Sequence, residues 1–405
     1  MQNSPLDNRT LKKAKGTLLA SVAAIGFAQT VLFAILAPLG REVGLVEMQI
    51  GAIISASSLT LFLISPIWGR TSDLWGRRKV LLIGLFGYSV GTAFFAAAFQ
   101  AALLGILIPI VAFTALIITR IGNATVMAAV MPAANAYMAD ITDVTTRTKG
   151  MSALGAASNI GAMLGPAIGG LMASISLLTP LYFSVVLTLI AAFFALYTLP
   201  DLPRQAIEEK PKKLRYTDAR IFPFVIAGLF IFMGFAIVQQ TIAFRFQDIL
   251  SLSAAETARV VGISMMIAAA ASLFVQMAVI PRLKVAPFTL LKISMPLMIA
   301  AFATMALSES RLLLTLAMFV QGLGMGLAGP GFMAGASLAV SSKEQGAVAG
   351  VAASCPPLGF AIGPLLGTFL YSLDPTYPYW FSCVIYLLLS VFVFWVKHQP
   401  AEQSS

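Results

Sequence analysis

The stretch 69–79, GRTSDLWGRRK, gathers four bases and an acid where almost everything around it is apolar. Gly69 and Gly76 permit a tight turn. Arg70, Arg77, Arg78 and Lys79 hold such a loop at a membrane surface, and Asp73 is placed to ion-pair with Arg77 or Arg78 or to cap a helix N-terminus. An ion pair of this kind is a latch that breaks when its supports move. The plainer role is an anchor of topology, which four bases supply unaided. A second chemistry-bearing residue stands alone: Arg120 lies between the uncharged stretches 101–119 and 121–139. A cation so placed costs about 3 kcal/mol on insertion scales and lines a cavity or takes a partner, unless the helix tilts enough for it to snorkel to an interface. Arg120 therefore reads as a functional charge that binds an anionic group or biases a proton site.

Other chemistries lack their residues. The one histidine is His398, so histidine-based proton transfer and His/Cys metal sites are not supported; no catalytic residue, metal ligand or cofactor is assigned. Cys355 and Cys383, the two cysteines, fall inside apolar stretches and are read as free thiols. The 16 acids fall in loops, tails or the ends of apolar segments. None sits plainly inside an apolar stretch, so Asp73, Asp140 and Asp248 are the acids left as candidates for exchanging a proton, and a strongly cationic ligand would find no counter-charge. Uncharged polar residues inside apolar stretches are the remaining candidates for substrate contact: Gln29, Thr30, Asn123 and Asn159 in the first half, Gln239, Gln240 and Gln321 in the second. Each serves equally well as an interhelical hydrogen bond. Phe27, Phe33, Phe235 and Phe244 would supply apolar walls.

The elements that must position these residues are membrane helices. Hydrophobic residues make up 59% of the chain and charged residues only 10%, with a mean hydropathy of +0.90, far from a soluble domain. Apolar runs recur at about 20 residues, the length of a spanning helix rather than of a barrel strand. They predict about twelve spans: 17–39, 48–68, 79–99, 104–138, 150–174 and 180–199, then 221–242, 259–280, 288–307, 312–340, 346–371 and 379–396. With the N-terminus inside, 21 of the 26 basic residues fall on the inner side and four, Arg41, Arg245, Arg259 and Arg311, on the outer, so both termini are expected in the cytoplasm. The net charge of +10 is then an orientation signal suited to an anionic inner leaflet; nucleic acid is not expected as a partner. The basic start and apolar run to Leu39 imitate a signal peptide but read as an uncleaved first span.

The chain reads as a duplication. GAMLGPAIGG at 161–170 is echoed by GFAIGPLLGT at 359–368, 198 residues on, and GFA recurs at Gly26 and Gly234. The expected architecture is all-α, two pseudo-symmetric six-helix bundles facing each other across a cavity. The bundles are assigned to 1–200 and 221–405, joined by a cytoplasmic linker at 201–220.

These residues resemble the major facilitator superfamily, in its twelve-span drug:proton antiporter branch. Gly69, Asp73, Gly76, Arg77 and Arg78 match that family's loop pattern G-x-x-x-D-R-x-G-R-R between spans two and three, with Leu74 where a base is usual. Gly161, Gly165, Pro166, Gly169 and Gly170 match its antiporter pattern in span five, with Ser152 in place of the first glycine. Arg120 stands where the span-four pattern has its arginine, with Ala124 in place of a glycine. The resemblance implies gating and coupling roles for these residues. It further implies export of small amphiphilic compounds by proton antiport and alternating access; the short loops suit a bacterial inner membrane, and a monomer with lipid, substrate and protons as its partners is expected. The alternative is export of an endogenous anionic or zwitterionic metabolite such as a siderophore, favoured by Arg120 and the missing inner acids. A membrane-embedded enzyme would need clustered acids, histidines or a metal. A non-transporting receptor would leave the repeat and Arg120 unexplained.

Overall fold

The computed structural model of the chain describes residues 7–202, 215–218, 220–283, 285–341 and 344–395. Most of the expected linker, 203–214 and 219, lies outside the described residues, as do Lys284, Lys343 and Lys397. Among the described residues there is no strand, and twelve helices are long and apolar enough to cross a membrane. The chain is therefore an all-α, multi-pass membrane protein, as its hydropathy predicts.

The first six spans are α1 (Asn8–Glu42), α2 (Glu47–Trp75), α3 (Arg77–Leu103), α4 (Pro109–Met127) with α5 (Val130–Asp140), α6 (Val144–Met172) and α7 (Thr179–Thr198). Helices α4 and α5 together make one span, Pro109–Asp140. The other six are α8 (Phe222–Leu250), α9 (Ala254–Phe274), α10 (Pro287–Leu307), α11 (Arg311–Leu338), α12 (Gln345–Leu373) and α13 (Tyr377–Trp395). Helix α9 continues through a π-helical turn, Val275–Val279, and a 3-10 turn, Ile280–Arg282. Starts are set by proline at the first turn in α4, α7, α8 and α10, where the missing N–H is no loss. Gly76 ends α2 and begins α3 with φ at +100°, a conformation that disfavours any side chain.

The seventh span is longer than the sequence predicts. It runs to Leu250 rather than 242 and carries Arg245, expected in an outer loop, into the helix. The side chain is 8% exposed and its Nη2 donates to the carbonyls of Ala306, at 2.9 Å, and Ser308, at 3.4 Å. A cation at the C-terminal carbonyls of α10 is stabilised by that helix end, so its charge does not break α8. Arg259, also expected outside, lies in α9.

The chain divides into two compact units, Met1–Ala206 with Ser253–Ile263, and Ile207–Leu252 with Ser264–Ser405. Their internal packing repeats. In the first, α1 meets α6 and α7, and α3 meets α4 and α7; in the second, α8 meets α12 and α13, and α10 meets α11 and α13. The closest seam of each is built on the echoed glycines. Gly161, Gly165 and Gly169 lie against Ala23, Phe27, Thr30 and Val31 of α1, and Gly359, Gly363 and Gly367 against Phe232, Met233, Ala236 and Ile237 of α8. With little hydrophobic drive between helices in lipid, such small-residue contact is what holds them. Large apolar side chains such as Phe94, Ile118, Tyr197 and Leu388 point outward, as a lipid-facing surface requires. Hydroxyls in the spans bond back one turn, Thr119 to Ala115 and Thr188 to Ser184, or across helices, Ser89 to Thr188 at 2.7 Å, which satisfies them in the apolar medium; Ser21 and Tyr379 are buried without a partner among the described residues.

Candidate functional site

Arg120 is the only charged residue buried inside α4. It stands eleven residues past Pro109 in the 32-residue span Pro109–Asp140, about 16 Å along at 1.5 Å per residue. The side chain is 4% exposed, so it does not snorkel. Its surroundings are polar but uncharged. Nη1 lies 3.5 Å from Asn123 Oδ1, the guanidinium carbon is 5.8 Å from the centre of the Phe95 ring, and Tyr88 is a neighbour. Nε has no partner. No carboxylate pairs with it among the described residues. Two aromatics and an amide soften the cost of a buried cation without neutralising it, which leaves its charge available to an anion.

Asn123 orients this group. Its Nδ2 donates to the Tyr88 carbonyl at 3.1 Å and to Thr92 Oγ1 at 2.9 Å, so Oδ1 faces Arg120. The close approach depends on Gly91: a Cβ there would stand 2.9 Å from Asn123 Cβ. Tyr88, Gly91, Thr92 and Phe95 on α3 are absent from the sequence-derived candidates. Their only signal is polar or small residues at three- and four-residue spacing in an otherwise apolar helix.

The charged loop is a three-way tie among helix ends of the first unit. Arg77 pairs with Asp73 one turn before it, its Nε donates to Asp140 Oδ2 at 3.2 Å, and its Nη1 to Ser72 Oγ at 3.2 Å. Arg78 Nη1 reaches Asp201 Oδ2 at 3.0 Å and Nη2 the Leu196 carbonyl at 2.6 Å. The two arginines thus bind the ends of α2, α5 and α7, and the Tyr137 hydroxyl adds a bond to the Pro200 carbonyl at 2.7 Å. Of the pairings open to Asp73, the one with Arg77 is formed. Asp140, a sequence candidate for proton transfer, shares that partner. Gly69 is half-buried near Pro132, and Leu74 is exposed.

Along α6, Gly161 and Gly165 press on α1 backbone, and Thr30 Oγ1 lies 2.9 Å from the carbonyls of both Gly26 and Ala162. Thr30 is thus engaged in the α1–α6 seam. Gly170 lies against the Ala258 carbonyl and Gly262 against that of Pro166, contacts with the part of α9 belonging to the first unit. Gln29 is half-buried and Asn159 exposed. In the second unit, Gln239 Nε2 is 3.6 Å from Met265 Sδ, Gln240 is buried, and Gln321 is buried with Nε2 unpartnered. Asp248, exposed at the end of α8, accepts from the Tyr371 hydroxyl at 2.7 Å.

The family profile described as Major Facilitator Superfamily matches residues 18–310 and 288–405. Multidrug resistance protein 1 of Bacillus subtilis is 26% identical over 354 residues, 85% of this chain and 86% of that protein. Quinolone resistance protein NorA of Staphylococcus aureus is 28% identical over 174 residues, 43% of this chain and 42% of that one. Among solved structures, a bacterial homologue of the human lysosomal transporter Spinster, inward-facing and occupied, superposes with a TM-score of 0.77 at 15% identity, covering 96% of this chain and 97% of that one. The human organic anion transporter MFSD10 gives 0.66 at 20% identity, covering 95% and 99%. The chain is a transporter and belongs to the Major Facilitator Superfamily.

Proposed function

We propose that the chain is a secondary exporter that moves small amphiphilic compounds outward in exchange for protons by alternating access. The observation that carries this reading is Arg120: a cation buried well inside a span, beside Asn123, Tyr88 and Phe95 and with no acid paired to it among the described residues. Such a group is costly to keep and does little for packing. Its role is to attract the anionic or electron-rich part of a substrate, or to set the proton affinity of a neighbouring site. The names of the bacterial relatives, multidrug and quinolone resistance proteins, support export of drug-like molecules. Gln239, Gln240 and Gln321 are the candidate substrate contacts within the second unit, and the glycine seams would let helices move as rigid pairs. Coupling would use the Arg77 tie, in which Asp73 and Asp140 share one guanidinium. The surplus of bases at one set of loops supports cytoplasmic termini in a bacterial inner membrane, with the protein acting as a monomer.

A second reading, export of an endogenous anionic or zwitterionic metabolite of siderophore type, is favoured by the same lack of an acid near Arg120. Vesicle transport comparing cationic dyes with anionic metabolites separates the two. Exporter action itself is tested in cells: collapsing the proton gradient with a protonophore makes an exported dye accumulate only when the protein is present. Accumulation indifferent to the gradient contradicts proton antiport.

A further inference from the structure

Three features of the second unit meet at the end where α8 and α12 begin. The first is a clamp. Arg220, two residues before α8, donates through Nη1 and Nη2 to the two carboxylate oxygens of Glu344, at 3.0 and 2.9 Å, just before α12. Asp218 accepts from the same guanidinium at 3.1 and 2.9 Å, and Ser341 Oγ donates to Glu344 at 2.7 Å. A two-bond fork between guanidinium and carboxylate is the strongest form of such a pair. The second is a purely apolar contact behind the clamp. Ile221 just before α8, Phe224 of α8, Phe332 of α11, and Val348 and Val351 of α12 line one apolar dimple with no room for a water, so no polar bond ties α12 to α8 there. The third is a joint. Helix α12 carries Pro356 and Pro357 in succession, and neither has an N–H to offer the carbonyls of Ala352 and Ala353. By the 198-residue repeat the first unit has Ser158 and Asn159 there, so the joint belongs to the second unit alone. Beyond it, Gly359, Gly363 and Gly367 fix the rest of α12 against α8.

We propose that residues 345–355 of α12 form an arm, jointed at Pro356 and Pro357, that swings from α8 when the Arg220–Glu344 fork opens. The fork holds the Glu344 carboxylate at about 2, well below its ordinary value, so the arm is not released by protonation near neutral pH. On the orientation proposed above, this end faces the cytoplasm; the arm itself does not depend on which substrate or ion is carried.

Cys355 reports on the arm. It is the last residue of the arm, 1% exposed, and its Sγ lies 3.8 Å from the Val225 carbonyl of α8, a contact that opens when the arm swings. Reaction with N-ethylmaleimide is followed in purified full-length protein carrying Cys383→Ala, so that Cys355 is the single thiol read. Glu344→Gln is expected to raise the labelling rate about tenfold. The exchanged pair Arg220→Glu with Glu344→Arg is expected to return it towards the parent. Pro356→Ala with Pro357→Ala is expected to reduce the gain caused by Glu344→Gln. A rate unchanged in Glu344→Gln, or an exchanged pair as fast as the single variant, overturns the proposal. Should Glu344→Gln fail to fold, the parent rate between about 0.05 and 0.5 M NaCl decides, because salt screens exposed pairs. Acceleration with salt supports the clamp, and a flat profile overturns it.

Discussion

The glycine seams make a sharp demand on stability. At Gly359, an added Cβ would stand 2.7 Å from the Met233 nitrogen and the Phe232 carbonyl carbon, about 0.7 Å short of the 3.4 Å at which ordinary contact begins. Both obstacles are backbone, so no rotamer change relieves the clash; α8 and α12 must part. Overpacking of this kind costs about 1–3 kcal/mol. At Gly161 the obstacle is likewise backbone, the Ala23 carbonyl of α1, and the same cost applies. Gly155, on α6 itself, has nothing within 4 Å of such a Cβ, and alanine there is expected to gain up to about 1 kcal/mol from helix propensity. Thermal unfolding of the purified protein should therefore rank Gly155→Ala at or above the parent, with Gly161→Ala and Gly359→Ala several degrees below it, at about 2–4 °C per kcal/mol. If Gly359→Ala or Gly161→Ala unfolds at the temperature of Gly155→Ala, the seams are not the contacts that hold these pairs, and the structural equivalence of the two echoed stretches loses its basis.

Arg120→Met is expected to insert and fold at least as well as the parent, because it removes a buried charge worth about 3 kcal/mol of insertion cost. It should nevertheless lose transport in vesicles; retained flux would remove Arg120 from the site. Arg77→Lys should cost about 1–2 kcal/mol in thermal unfolding, since one ammonium cannot serve Asp73, Asp140 and Ser72 together. An unchanged melting temperature would mean the tie is not formed in the membrane. The Arg220–Glu344 fork has a defined pH signature. Glu344 sits near about 2 in the folded chain, against an ordinary 4.5, so its contribution is complete above about 4.5 and fades as pH falls towards 2. The gap in melting temperature between parent and Glu344→Gln should be constant from about pH 5 to 8 and close below that range; a gap that varies across neutral pH would contradict the fork.

The spans were legible because the signal is local: a run of about 20 uncharged residues has few alternatives in a bilayer. The seams were half legible. The spacing of Gly161, Gly165 and Gly169 announces a close helix contact, and the echo at Gly359, Gly363 and Gly367 announces a second, but neither names the helix that receives it. Long-range polar partners left no trace in composition. Arg77 meets Asp140 63 residues away, and Arg78 meets Asp201 123 residues away. Arg245 was misplaced for the same reason: its partners, the Ala306 and Ser308 carbonyls, are 61 and 63 residues distant and carry no side-chain signature. Arg120 was visible as an isolated charge, yet its cradle of Tyr88, Thr92 and Phe95 lies on a helix whose sequence looks merely apolar. Among the polar candidates, type alone did not separate Thr30, which joins the α1–α6 seam, from Asn159, which is exposed.

Proton-driven flux is the most direct test. The purified protein is reconstituted into vesicles with an acidic lumen, and uptake of an amphiphilic dye is followed with and without a protonophore, for the parent and for Arg120→Met. Uptake that follows the imposed pH difference in the parent, stops when the gradient is collapsed and is absent in Arg120→Met is the expected result. Uptake by the parent at the same rate with no gradient, or undiminished in Arg120→Met, would contradict it.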